Sequence, residues 1–218
     1  MIETDFGRLG KGKTLDAVIK AYDAYLEGRE VFSNIWLDFP HTPIKEPMDF
    51  LAIEEGLFLA DELWHLADNR KSMSLLSDVI TIILLRSRKR DFDVKYTQQY
   101  MQIDVRIAFV TDVWVKPRTV PDHETCKALK MKPQELILER WNGDFERMPP
   151  LRLDCAEYCD LYDTKKDPYT LSAFVTNEHL KSVLKRALEG QESEFKSITE
   201  QAKSLKGEEK RKKLSVLS

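Results

Sequence analysis

Residues 7–14, GRLGKGKT, constrain this chain more than any others, because they have the form G-x-x-x-x-G-K-[ST]. In such a loop, glycines let backbone N–H groups turn inward around a phosphate. A lysine brings a point charge to the β and γ oxygens, and a hydroxyl ligates Mg²⁺. The loop residues are Gly7, Arg8, Leu9, Gly10, Lys11, Gly12, Lys13 and Thr14, with Lys13 the cation and Thr14 the hydroxyl. The chemistry requires a strand before the loop and a helix after it. The helix is legible, since Leu15, Val18, Ile19, Tyr22, Tyr25 and Leu26 recur on one face and Gly28 marks the stop. The strand is harder to read. Residues 1–6 are MIETDF, whereas a central parallel strand covered on both faces is almost continuously apolar. Either the start of the strand is missing or the first strand is short and unusual.

A loop of this kind needs an acidic residue at the end of a second strand to hold Mg²⁺ from the other side. Residues 56–62, GLFLADE, meet that need: a short apolar strand, then Asp61 at its carboxyl end, then Glu62 as a base that polarises water. Adjacent carboxylates at the edge of a core repel each other unless a cation or water offsets the repulsion. The plainer alternative is that Asp61 caps a helix starting near Leu63.

The surrounding elements alternate. Residues 31–37 (VFSNIWL) read as a strand, and a proline-punctuated loop follows at 40–47. Residues 72–85 read as a helix that is apolar nearly all round toward its end. It finishes in the basic run 86–90, and residues 92–97 (FDVKYT) alternate into a strand ending in Gln98 and Gln99. Strands alternating with helices predict an α/β fold with a mainly parallel central sheet flanked by helices and a ligand at the carboxyl ends of the strands. The glutamine pair lies where a polar group meets the γ-phosphate or the attacking water.

The ordered train GRLGKGKT, LFLADE, ADNRKSMS, LLRSRKRDFDVKYTQQ and QIDVRI resembles the zonula occludens toxin-like and viral genome-packaging ATPases of the FtsK/HerA superfamily, over residues 1–115. The resemblance implies a RecA-like P-loop NTPase fold, ATP and Mg²⁺ as cofactors, and a hexameric or pentameric ring that translocates double-stranded DNA. By position, Lys13 and Thr14 match the Walker A lysine and hydroxyl, and Asp61 matches the Walker B metal ligand. Glu62 matches the catalytic carboxylate and Gln99 the sensor glutamine, with Gln98 a one-residue alternative. The family also supplies an arginine to the neighbouring subunit's nucleotide, and Arg88 and Arg90 are the candidates here, with Arg70 next. Cations at a helix end are also explained by the helix dipole.

Beyond residue 115 the resemblance weakens. Residues 109–115 read as a strand closed off by Pro117 and Pro121. Residues 136–148, interrupted by Asn142-Gly143, read as a β-hairpin, because N-G supplies positive φ to a tight turn. Residues 151–162 and 177–189 read as helices. The tail, 191–218, is charged and reads as a lone amphipathic helix or a disordered basic end at 210–213. These divide the chain into a P-loop ATPase domain at 1–190, with its core at 1–115 and a small C-terminal hairpin and helical elaboration at 116–190, and a tail at 191–218.

The net charge of −3 argues against a nucleic-acid coat protein, although a ring needs only a local basic strip. The longest strongly apolar run, residues 79–85, is far below the roughly 20 residues that span a bilayer, and there is no signal-peptide core. A cytoplasmic protein is therefore expected, in the host cytoplasm or the virion if viral. Toxin-like members that extrude phage carry a membrane segment, so its lack favours packaging into a preformed shell, with a capsid or procapsid protein as a further partner. Three cysteines imply no disulfide framework. Cys126, Cys155 and Cys159 with His123 are a loose match to zinc ligation beside the plainer reading of half-buried helical thiols. The alternatives in function are a P-loop small-molecule or nucleoside kinase and a nucleotide-switched assembly scaffold.

Overall fold

In the computed structural model, the described residues are 1–46, 48–63, 73–99, 105–163, 166 and 176–204. The first strand, β1 (Ile2–Phe6), is buried along its whole length, polar residues included. Side chains alternate between the faces of a strand. Ile2 and Phe6 enter the larger apolar core, whereas Glu3 and Asp5 turn to the other face, where the Lys95 ammonium bonds both. The polar reading of residues 1–6 therefore reflects a buried ion group on one face, which no periodicity rule anticipates.

The chain continues through α1 (Lys13–Leu26), β2 (Val31–Ser33), β3 (Thr42–Pro43), α2 (Asp49–Ala52), β4 (Glu55–Ala60), α3 (Met73–Ser87), β5 (Asp91–Gln98), α4 (Val105–Val110) and β6 (Val113–Val120). It ends with α5 (His123–Leu129), β7 (Glu135–Asn142), β8 (Arg147–Asp154), a 3-10 turn (Ala156–Asp160), α6 (Asn177–Leu188) and α7 (Glu192–Ser204). The strands form a mixed sheet in the order β3-β2-β4-β5-β1-β6-β7-β8. All pairings from β3 to β6 are parallel, and β7 and β8 add antiparallel strands at one edge. With helices on both faces, this is an α/β architecture consistent with a RecA-like fold. Because β1, β4 and β5 are parallel neighbours, the glycine loop, Asp61 and Gln99 all emerge at the same sheet edge.

On one face α1 buries Ala17, Val18 and Ala21 against Val31, Leu57 and Leu59, and Leu15 and Ile19 against Val115, Leu136 and Leu138. On the other face α3 packs Val79, Ile80 and Ile83 against Phe58, Val94 and Tyr96 and against Leu180 and Val183 of α6. Being covered by the sheet on one side and by α6 on the other is why residues 79–85 are apolar except for Thr81. At ~1.5–3 kcal/mol per fully buried large aliphatic side chain, this layer is a main source of stability.

Several expectations from sequence need correction. Residues 109 and 110 end α4, and β6 starts at Val113 and runs on through Pro117. A proline is tolerated there because β1 pairs with β6 only as far as Val115, leaving β6 with a neighbour on one side alone. Residues 151–154 belong to β8 and only the 3-10 turn follows, so the expected helix over 151–162 is absent. β8 carries Pro149 and Pro150, which a sheet edge permits. The hairpin is present, but its turn is not the two-residue N-G type. Asn142 accepts through its side chain from the N–H groups of Asp144 and Glu146, and the positive φ falls on Phe145, at 62°. Gly143 answers a different need, since a Cβ there would stand 3.2 Å from the Thr111 carbonyl oxygen. The start of the tail is not a lone helix, because Phe195 and Ile198 of α7 pack on the core. No helix among the described residues is long and apolar enough to cross a membrane.

Candidate active site

The glycine loop leaves β1 at Phe6 and enters α1 at Lys13. Gly7, Gly10 and Gly12 all have positive φ. Position 12 suits glycine most: its φ of 93° strains any L side chain, and a Cβ there would lie 2.8 Å from the Leu136 side chain and 3.0 Å from that of Thr119. Thr119 of β6 and Leu136 of β7 thus lie close against the loop at Gly12. Gly12 also forms the N-cap of α1 without a side-chain cap, so the first N–H groups of the helix face the loop's concavity. Lys13 is nearly buried, with Nζ donating to the Arg8 carbonyl at 3.3 Å and lying 3.9 Å from Glu62 Oε1.

Two strands away, β4 delivers the acidic pair to the same place. Thr14 Oγ1 donates to Asp61 Oδ1 at 3.0 Å, and Thr97 Oγ1 donates to the same oxygen at 2.7 Å. The Glu62 N–H donates to Thr97 Oγ1 at 2.8 Å, and Gln99 Nε2 donates to Glu62 Oε1 at 3.3 Å. Asn34, just past β2, bonds the Asp61 backbone on both sides: Nδ2 donates to its carbonyl at 2.8 Å and Oδ1 accepts from its N–H at 2.7 Å. These bonds hold Glu62 at φ 44°, a left-handed conformation that costs a non-glycine residue about 1–3 kcal/mol. Three strands and a helix therefore converge on Lys13, Thr14, Asp61, Glu62 and Gln99. The hydroxyl and carboxylate oxygens of Thr14 and Asp61 suit a hard divalent cation, which takes oxygen ligands.

No family model matches this chain, and no sequence among curated proteins matches it. Among solved structures, the N-terminal domain of zonular occludens toxin from Neisseria meningitidis is similar to it. The identity is 16% and the TM-score 0.43, over 74% of this chain and 98% of that one.

The other sequence-predicted residues are placed as follows. Arg8, Leu9 and Lys11 are exposed on the loop. Gln98 faces the opposite layer from Gln99, fully buried, and neither of its side-chain polar atoms has a hydrogen-bond partner among the described residues. Arg88 and Arg90 precede β5 and so lie at the other end of the sheet from the loop. Arg88 bonds the Val110 carbonyl and Asp112, and Arg90 bonds the Leu51 and Ile53 carbonyls at the C-terminal end of α2. Arg70 lies outside the described residues. Among the described residues, the cysteines and His123 form no group of three metal-ligating atoms. Cys155 instead donates to the Pro133 carbonyl, and burial pushes its thiol up to about 12.

Sequence reasoning missed Asn34, Thr97 and the Lys95 ion group. Strand alternation was the available signal for Thr97, because it places Thr97 on the same face of β5 as Lys95 and in line with Gln99 just past the strand's end. Beside the loop, a cleft of about 280 Å³ is lined by Gly7, Arg8, Lys11, Lys116, Pro117, Arg118 and Glu139, so four cations face one carboxylate.

Proposed function

We propose that this chain is a Mg²⁺-dependent ATPase that works as a ring and moves duplex DNA, in packaging a viral or mobile-element genome into a protein shell. The observation that carries the ATPase reading is the meeting of Thr14 with Asp61, and of Glu62 with Lys13 and Gln99, around the mouth of a glycine loop. Mg²⁺ held by Thr14 and Asp61 would neutralise phosphate charge. Lys13 offsets the charge that develops on the β and γ oxygens. Glu62 takes a proton from the attacking water as the bond from the γ-phosphorus to the bridging oxygen breaks, and Gln99 orients the Glu62 carboxylate for that transfer. The ordered motifs support a ring on duplex DNA by their resemblance to packaging motors, and the cationic cleft beside the loop supports an anionic partner.

The reading is tested by phosphate release from purified protein with and without duplex DNA. Glu62→Gln is expected to keep affinity for a non-hydrolysable ATP analogue and lose turnover, and Lys13→Ala to lose both. Equal turnover in wild type and Glu62→Gln would remove the proposed base. Turnover that appears only with an added small-molecule phosphate acceptor would replace the motor by a kinase.

A further inference from the structure

One face of β5 carries Lys95 and Thr97, Gln99 follows just past the strand's end, and each of the three reaches a different part of the site. Thr97 bonds Asp61 and the Glu62 N–H, and Gln99 bonds Glu62. Lys95, 1% exposed, donates to Glu3 at 2.5 Å, Asp5 at 2.8 Å and Asp16 at 2.5 Å. Glu3 and Asp5 belong to the strand that enters the glycine loop, and Asp16 to the first turn of the helix that leaves it. A single ammonium therefore pins the strand that leads into Gln99 to both sides of the loop.

The chemistry of this group fits placement better than stability. The three carboxylates present oxygens within 4.8 Å of one another, an arrangement suited to a cation, and the Lys95 ammonium bonds all three. Burying such charges is no more stabilising than well-packed apolar residues of similar volume. What an ammonium with three directed acceptors adds is a fixed position. The ladders to β1 and β4 fix the register of β5, and non-directional apolar packing would set its distance and tilt against α1 less sharply than three directed bonds do.

We propose that Lys95 is a positioning residue for nucleotide hydrolysis, holding β5 against β1 and α1 so that Gln99 meets Glu62 beside the loop. This rests on the ATPase reading above. Removing Lys95 alone would strand three carboxylates in the core, so two other variants test it. The neutral quartet Glu3→Gln, Asp5→Asn, Asp16→Asn and Lys95→Met removes the charges together. Asp16→Ala cuts the tie to α1 and leaves Lys95 bonded to Glu3 and Asp5.

Three quantities are measured: the Kd of a fluorescent non-hydrolysable ATP analogue, kcat with KM for ATP, and hydrogen exchange at the amides of residues 97–99. Affinity and KM are expected within about threefold of wild type, because the loop and Lys13 are untouched. In the same assays kcat is expected to fall about tenfold or more in the quartet and about fivefold in Asp16→Ala, with faster exchange at 97–99. Unchanged kcat in Asp16→Ala, or loss of affinity in step with kcat, would overturn the proposal even if the quartet does not fold. Should wild type hydrolyse no ATP, the ATPase reading fails separately. Exchange then decides the tie: faster exchange at 97–99 in Asp16→Ala upholds it, and unchanged exchange removes it.

Discussion

Replacing Thr97 by valine keeps the shape of the side chain and removes one hydroxyl. That hydroxyl donates to Asp61 Oδ1 at 2.7 Å and accepts from the Glu62 N–H at 2.8 Å, at a fully buried position. A hydrogen bond to a carboxylate contributes about 1.5–3 kcal/mol and a neutral one about 1 kcal/mol, so Thr97→Val should lose about 2–4 kcal/mol of stability. Urea unfolding followed by tryptophan fluorescence would show this as a lower midpoint at unchanged slope. The functional effect follows from the same bond. The Glu62 N–H is anchored while φ stands at 44°, and without the anchor the backbone relaxes toward an ordinary conformation and swings the carboxylate away. A misplacement worth about 1.4–2.8 kcal/mol lowers kcat roughly ten- to a hundredfold. Affinity for a non-hydrolysable ATP analogue should hold, because Lys13 and the loop are unaltered. Thr97→Ser keeps both bonds and should stay within about 1 kcal/mol and threefold of wild type. Thr97→Val with wild-type midpoint and wild-type kcat would refute the reasoning.

Asp5→Asn is expected to be at least as stable as wild type at pH 7.5. Burial, and then the Asp16 charge, hold the Asp5 carboxyl well above its ordinary value of 3.8. The folded state thus binds a proton that the unfolded chain releases, which lowers wild-type stability as pH rises above 3.8. Asparagine removes that penalty and still offers Lys95 an acceptor, so the gain should vanish on acidification below 3.8. Asp93→Asn should show the opposite trend. Burial raises that carboxyl, but hydrogen bonds from the terminal ammonium and from Arg29 outweigh it and hold it below 3.8. Its stabilisation is therefore complete above 3.8 and lost as pH falls through the lower folded value, and for so exposed a group it amounts to about 1 kcal/mol or less. Cys155 should resist alkylation of the native protein at pH 8, read by mass spectrometry, because its thiol is pushed up to about 12. Rapid native labelling there would contradict the buried placement.

What sequence order alone determined was the chemistry at each strand end. A glycine loop needs fixed residue types at fixed spacing, so Lys13 and Thr14 are legible, and the apolar run before Asp61 marks a strand that ends in acid. Whether those ends meet is a matter of sheet order, and only the tertiary structure decided it. With β5 inserted between β1 and β4, Thr97 and Gln99 stand between the loop and the acidic pair. The polar strand Ile2–Phe6 shows the physical reason most plainly. Read alone, Glu3 and Asp5 contradict a buried strand, because burying a charge is unfavourable unless its partner is buried beside it. That partner, Lys95, is 92 residues away from Glu3 and becomes a neighbour only when β1 and β5 pair in register.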